Sequence, residues 1–389
     1  MFIPRSIEKR IRELSASFPV LSVTGPRQSG KTTMLKRMFP DYQYVSLENP
    51  DYYDLALNDP RLFLERFDRY AIFDEAQRVP HLFNYLQGKV DNDRIMGQYI
   101  LSGSQNYLLM NSITQSLAGR VALFSLFPFS MAEVEAVDML STSLEEAVFK
   151  GFYPPLYDRP LNPPDFFANY IETYVQRDIR QLQAVQNLIV FRTFVQLCAG
   201  RIGQPLNYQA LATDAGVSPS TAKAWLGILE ASHIIFTLPP YFKNFRKRLT
   251  KAHKLYFYDV GLAAYLLGIR QVSDLQAHFA RGNLFEDMVV AELRKQSHHN
   301  GLLIDFYYWH ESNGHEVDLM WERNNELHIA EVKSGTTLNR SFFDNLSYLK
   351  KITGQDLQNA YLIYGGTDSF SQTEAEVLSW RDVGRLLMM

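Results

Sequence analysis

The apolar positions in the first third of this chain alternate between two rhythms. Short, largely apolar runs at Val20-Leu21-Ser22-Val23, Tyr44-Val45-Ser46-Leu47, Tyr70-Ala71-Ile72-Phe73 and Tyr99-Ile100-Leu101-Ser102 predict buried strands. Met34, Leu35 and Met38 recur at helical spacing, and Asp59 to Phe67 reads as a helix between two of the strands. Strands alternating with helices predict an α/β domain built on a parallel sheet.

The middle of the chain reads differently. Ser143 to about Gly200 is helical in pattern, broken at Tyr153-Pro154-Pro155 and Asn162-Pro163-Pro164, and the helix through Tyr170 to Ile179 is expected to act as a lid or connector. Asn207 to Leu229 predicts a helix-turn-helix. Asn207 caps a helix over 208–215, Gly216-Val217 turns, and Ser218-Pro219 supplies a cap and a first-turn proline. In the second helix Ala222, Trp225, Leu226 and Leu229 share the inner face, leaving Ser220, Thr221, Lys223 and Gly227 outside.

An extended pair follows, at Ile234-Ile235-Phe236 and Leu255-Tyr256-Phe257. The stretch between them carries Lys243, Arg246, Lys247, Arg248, Lys251 and Lys254 and no acid. The whole reads as a winged helix with a basic wing. Lys223, Lys243, Arg246, Lys247, Arg248 and Lys251 are candidate contacts to a phosphate backbone. The outer helix offers one cation and no Asn, Gln or Arg for base edges, and winged helices also serve as protein-docking modules.

Period-two alternation returns at Glu316–Glu322 and Leu327–Lys333. With Asn324-Asn325 as a two-residue turn, Asp318 stands opposite Glu331 and Glu316 opposite Lys333, all on one face. Val317, Leu319, Ala330 and Val332 take the other face, toward the core. Facing carboxylates repel, and a divalent metal is the usual compensation. The amphipathic helix over 284–293 can deliver Glu286 as a third acid. The candidate metal ligands are therefore Glu286, Asp318 and Glu331, with Lys333 beside them. This arrangement resembles the PD-(D/E)xK nuclease superfamily, although Val317 stands where a proline often precedes the aspartate. The resemblance implies Mg²⁺ on the acids and a lysine that assists phosphodiester cleavage. The alternative is a solvated charged face of a hairpin.

The sharpest local signal is Gly25-Pro26-Arg27-Gln28-Ser29-Gly30-Lys31-Thr32, which fits G-x-x-x-x-G-K-[ST] between a predicted strand and a predicted helix. Glycines 25 and 30 let successive N–H groups turn onto an anion, Lys31 adds a charge for the β- and γ-phosphates, and Thr32 offers a hydroxyl to Mg²⁺. Thr33 opens the helix whose positive end faces the same phosphates. The strand ending in Asp74-Glu75 is expected beside the strand feeding the loop, with Asp74 under Mg²⁺ and Glu75 polarising the attacking water. A polar residue on the next strand, Ser102 or Ser104, is the candidate γ-phosphate sensor. Arg120 is either a finger on the γ-phosphate, in cis or from a neighbouring subunit, or an arginine paired within its own domain.

The bulk numbers narrow the setting. The chain of 389 residues is 46% apolar, enough for several domains with real cores. A net charge of −3 gives no global attraction to nucleic acid. The single cysteine, Cys198, excludes an intramolecular disulfide and fits a reducing compartment. No signal-peptide core begins the sequence, and its longest apolar stretch falls short of the ~20 residues of a membrane helix. The expected setting is the cytoplasm, with no membrane partner.

Further motifs occur in order: Phe73-Asp74-Glu75-Ala76-Gln77, Leu117-Ala118-Gly119-Arg120, Tyr174-Val175-Gln176-Arg177-Asp178-Ile179 and Tyr256-Phe257-Tyr258-Asp259-Val260-Gly261-Leu262. Together with the loop, Glu286, Asp318 and Glu331-Val332-Lys333, they resemble the prokaryotic AAA-like ATPases that end in a domain of unknown function with a restriction-endonuclease-like fold. The resemblance implies an AAA-like P-loop core over 1–142, a helical connector over 143–200, a winged helix over 201–270 and a nuclease-like α/β domain over 271–389. It implies ATP and Mg²⁺ as cofactors. Three functions stay open: a DNA-associated ATPase, a nucleotide-dependent switch docking protein partners with an inactive nuclease-like domain, and an ATP-gated Mg²⁺-dependent nuclease. Homo-oligomers are common in such cores.

Overall fold

The computed structural model describes residues 2–104, 113, 116–175, 179, 185, 187–241, 252–311, 314–353 and 359–387. Strands β1 (Val20–Thr24), β2 (Gln43–Ser46), β3 (Ala71–Asp74), β4 (Tyr99–Gly103) and β5 (Val121–Ser125) form a parallel sheet in the order β2-β3-β4-β1-β5. Side chains alternate across it. Leu21, Val23, Ile72 and Ile100 pack on one face with Ile7, Ile11, Met34 and Leu35. Val20, Phe73, Tyr99 and Leu101 pack on the other with Phe63, Leu82 and Leu86.

The sheet order corrects one expectation. β3 does not lie beside β1, because β4 inserts between them, pairing Asp74 with Ser102 on one side and Thr24 with Gly103 on the other. β4 is buried at every position and takes an inner place, whereas β2, with Gln43 exposed, takes the edge.

Helices Leu144–Lys150, Pro155–Asp158, Pro163–Tyr174 and Leu188–Ala199 follow. The expected proline breaks are helix starts, with Pro155 and Pro163 in first turns where a missing N–H does no harm. Helices Tyr208–Ala215 and Pro219–Ala231 are joined through Gly216 at φ +68°. Asn207 and Ser218 cap them, accepting from the Ala210 and Thr221 amides. β6 (Ile235–Leu238) pairs antiparallel with β7 (Lys254–Phe257).

The 19-residue helix Arg281–His299 leads into a mixed sheet. It contains β8 (Phe306–His310), β9 (Glu316–Arg323), β10 (Glu326–Lys333), β11 (Ala360–Tyr364), β12 (Phe370–Ser371) and β13 (Glu376–Ser379), ordered β12-β13-β11-β10-β9-β8. The β9–β10 register runs from Arg323 opposite Glu326 to Leu319 opposite Ala330, and Asn324 and Asn325 both have positive φ. That is the two-residue turn expected of the sequence. One apolar cluster extends from Phe127 through the middle helices and Leu284, Val289 and Leu293 to Leu387. Among the described residues no helix is long and apolar enough to cross a membrane.

Candidate functional site

At the carboxyl end of β1 the chain turns through Gly25 at φ +150°, where an added Cβ would lie 2.1 Å from the Leu126 carbonyl oxygen. Gly30, at φ +93°, caps the helix Lys31–Met38. Only glycine meets both requirements without strain. Between them Pro26 and Ser29 are buried, Arg27 is half-buried, and Gln28 is exposed in a left-handed turn. Lys31 is buried and donates to the Gly25 and Pro26 carbonyls, each at 2.8 Å. Thr33 is exposed at the first turn of the helix.

Asp74 is the hub of the site. Its Oδ2 accepts from Thr32 Oγ1 at 3.0 Å and from the Tyr44 hydroxyl at 2.6 Å. Its Oδ1 accepts from Ser102 Oγ at 2.5 Å and from the Glu75 amide at 3.2 Å. Burial, followed by the Asp74 carboxylate, pushes the Tyr44 phenol above its ordinary range, which keeps it a donor. Glu75 is held at φ +55°, a sparsely populated conformation for a side-chain-bearing residue, and its Oε2 accepts from Gln77 Nε2 at 2.5 Å and Ser104 Oγ at 3.2 Å. Ser102 and Ser104, alternatives in the sequence, thus serve different carboxylates.

Arg120 lies elsewhere. It precedes β5, and its carbonyl accepts from the amide of Val20 at the start of β1, the sheet end opposite the loop. Its guanidinium is bidentate to Asp91, at 2.5 and 2.8 Å. A cis finger on the γ-phosphate is therefore excluded, since parallel strands hold their two ends apart by their own length.

The sequence carried no signal for Arg5. This buried guanidinium donates to the Ser29 carbonyl of the loop at 2.8 Å, to the Phe127 carbonyl at 2.7 Å and to Glu133 Oε2 at 3.2 Å. Burial alone would raise the Glu133 carboxyl; Arg5 and His299 outweigh it and hold it below its ordinary range. Glu133 also completes a capping box with Ser130, a motif that spacing alone could have flagged. Beside the loop opens a cavity of about 510 Å³, bounded by Phe2, Arg5, Gln28, Gly30, Thr33 and Phe129 and closed by Pro154, Tyr157 and Phe166 of the helical region. A volume of that order suits a small-molecule ligand.

The second constellation is in the C-terminal sheet. Asp318 and Glu331 are 7% and 1% exposed, so this is not a solvated hairpin face. Asp318 Oδ2 accepts from the Val332 amide at 2.8 Å and lies 3.4 Å from Lys333 Nζ, which donates to Glu331 Oε1 at 2.8 Å. Asn345 Nδ2 donates to the same Glu331 oxygen at 3.0 Å. The carboxylates that converge are not the expected three. Glu286, Glu316 and Asp318 bring oxygens within 4.8 Å of one another. Glu331 Oε1 is engaged by Lys333 and Asn345, while its Oε2 is buried without a hydrogen-bond partner among the described residues. Lys254, expected among the cations of the wing, is 1% exposed and pairs with Glu286 at 3.0 Å and with Glu316. Lys223 is exposed on the helix Pro219–Ala231. Lys243, Arg246, Lys247, Arg248 and Lys251, like Gln176, Arg177 and Asp178, lie outside the described residues.

Burial, then the like charge of Asp318, pushes the Glu331 carboxyl up to about 8. An unfolded glutamate titrates near 4.3. Between those values the folded state keeps a proton that the unfolded chain has released. The contribution to stability is therefore full below the unfolded value and is lost as pH rises through about 8. Glu331→Gln is expected to remove that slope. In thermal denaturation from about pH 5 to pH 9, the variant should gain on the wild type as pH rises; a constant offset would contradict this account.

A glycine-rich loop at a helix amino end, with a strand-end aspartate reaching its threonine, defines an AAA-like P-loop domain. Residues 17–135 match the family described as AAA domain, and residues 141–273 and 281–383 match two families described as domains of unknown function, DUF8612 and DUF4143. The chain is 30% identical over 381 residues to the uncharacterized protein Rv2008c of Mycobacterium tuberculosis, covering 96% of this chain and 82% of that one, and equally so to Mb2031c of Mycobacterium bovis. It belongs to their family. Among solved structures it is similar to the Walker-type ATPase PABY2304 of Pyrococcus abyssi, at 14% identity, 68% coverage of this chain, 96% of the other and a TM-score of 0.42. It is also similar to the RuvB branch migration motor of Thermotoga maritima, at 16% identity, 61% and 91% coverage and a TM-score of 0.33.

Proposed function

We propose that this protein binds and hydrolyses ATP with Mg²⁺, and that nucleotide state moves the segments after residue 142 relative to the P-loop core. The observation that carries this reading is the contact of Thr32 Oγ1 with Asp74 Oδ2 at 3.0 Å, in line with the loop. The fit to nucleotide and metal is good on three further counts. The loop is a cradle that a Cβ at Gly25 would fill. Ser29 Oγ is buried with no hydrogen-bond partner among the described residues. The donors at Thr32 and Asp74 are hard oxygens, as Mg²⁺ requires.

When bound, Mg²⁺ supplies charge neutralisation at the β- and γ-phosphates; Thr32 and Asp74 would hold it. Lys31 would exchange its two loop carbonyls for phosphate oxygens. Glu75, steered by Gln77 and Ser104, would accept the proton of the attacking water. The cavity between Phe2, Phe129, Pro154 and Tyr157 suits the nucleoside, so the ligand would bridge the core and the helical region. That position is how occupancy would be felt beyond residue 142. The test is a turnover and fluorescent-nucleotide binding assay on the full chain. Lys31→Ala is expected to abolish both, and unchanged turnover in that variant would refute the reading.

DNA association is proposed on the basic stretch 243–251, with the region 201–270 as a winged helix, 271–389 as a nuclease-like fold and self-assembly or a protein partner left to measurement. Binding should weaken steeply with salt, with a log–log slope near −0.9 for each phosphate contacted. Neutralising Lys243, Arg246, Lys247, Arg248 and Lys251 should flatten that slope. Absence of salt-sensitive binding would favour a switch that docks protein partners.

A further inference from the structure

The nuclease-like reading of the β9–β10 hairpin implies a divalent metal held by Glu286, Asp318 and Glu331. The residues do not fit that metal, because an ammonium already pairs with two of the three acids that converge, Glu286 and Glu316. We propose that Lys254 is the resident cation of the Glu286–Glu316–Asp318 cluster, closing it to divalent metal and converting it into an internal latch between β7, the helix Arg281–His299 and β9.

Four observations carry this. Lys254 is 1% exposed and pairs with both Glu286 and Glu316, the two carboxylates that flank Asp318. It is not on a mobile arm, since it begins β7 and is paired across the ladder with Leu238. Its neighbour on the same face, Tyr256, donates to the same Glu286 oxygen at 2.5 Å, and the Tyr308 ring lies 5.2 Å from the ammonium. The next helix residue, Asp287, accepts from the Phe257 amide at 2.6 Å, so the acid helix grips β7 at a second point.

A metal shared by these carboxylates would need oxygen contacts of about 2.0–2.6 Å, inside the volume the ammonium fills. Two cations at that separation in a partly buried site repel. Lys333, already on Asp318 and Glu331, adds a further positive charge at the rim. On this arrangement the C-terminal sheet does not cut phosphodiesters through these acids. It is held to β7 by them.

The test uses the full chain without nucleotide, in an Asp74→Asn background that removes the P-loop metal position, so its outcome is independent of the ATPase reading. Mn²⁺ is titrated and free Mn²⁺ followed by electron paramagnetic resonance. The protein with Lys254 intact is expected to show no site that depends on Asp318. Adding Lys254→Met should create one, tightening Mn²⁺ binding at least about tenfold, and Asp318→Asn should remove it again. A stoichiometric Mn²⁺ site in the Lys254-containing protein that Asp318→Asn abolishes would overturn the proposal, as would a folded Lys254→Met protein with no gain. If Lys254→Met does not fold, the Lys254-containing arm decides by itself.

Discussion

Glu75→Gln is expected to leave nucleotide bound while ATP turnover falls about 10²- to 10⁴-fold, the range for loss of a positioned general base. The carboxylate sits one residue past the strand-end aspartate, and the left-handed backbone at φ +55° turns it away from the direction of Asp74. Gln77 and Ser104 both donate to its Oε2. Glutamine keeps the length and the polar contacts but cannot take a proton. Binding should persist because the loop amides, Lys31, Thr32 and Asp74 are untouched. The check is a pair of measurements, an equilibrium titration with fluorescent ATP and steady-state phosphate release. Turnover near the wild-type rate would remove Glu75 from the chemistry even if the rest of the site stands.

The second large effect is structural and reaches the same loop from behind. Arg5→Met is expected to destabilise the fold by about 3–5 kcal/mol, the usual consequence of leaving one member of a buried ion pair alone. Glu133, 3% exposed, would keep its charge with only the Ser6 and Ser130 amides and the His299 ring, 3.6 Å away and held neutral by burial, near it. The Ser29 and Phe127 carbonyls would lose their charged donor as well. Chemical denaturation measures the loss. The double variant Arg5→Met/Glu133→Gln should recover part of it, because no uncompensated charge remains. If the two single changes add without recovery, the pair is not the source of the effect.

Both expectations rest on residues with unequal visibility in the sequence. Glu75 could be read directly: an apolar run ends in two carboxylates, and strand geometry places the first of them at the mouth of the loop. Ser102 is legible only as one of two candidate γ-phosphate sensors; its contact with Asp74 comes from the pairing of β3 with β4. Tyr44 was read only as part of a strand, since nothing in its neighbours shows that its hydroxyl reaches Asp74. Arg5 sits in a short amino-terminal stretch without periodicity, and its three acceptors lie 24, 122 and 128 positions away.

The hairpin makes the same division within a few residues. Its register follows from Asn324-Asn325 as far as Leu319 opposite Ala330, and Asp318, Glu331 and Lys333 do meet. Beyond that the expected alternation fails: the β8–β9 register shifts, and Val317 packs with Met320 and Ile329 and not with Leu319, Ala330 and Val332. Glu316, expected opposite Lys333, is held by Lys254. The sequence leaves Arg120 between a finger, in cis or from a neighbouring subunit, and a pair within its own domain; the position of β5 excludes the cis finger and sets the guanidinium against Asp91.

The sequence by itself determined the phosphate loop, the carboxylates at the end of β3, the helix caps at Asn207 and Ser218, and the register of β9 with β10. Each depends on neighbours within a few positions, where the periods of strand and helix and the conformational freedom of glycine and asparagine leave little choice. Only the tertiary structure decided that β4 separates β1 from β3, that Arg5 braces the loop, and that Lys254 leaves the basic stretch for the acid cluster. Those outcomes depend on which elements become adjacent once the apolar faces are buried together, and a charged residue takes its partner from whatever that burial brings within reach.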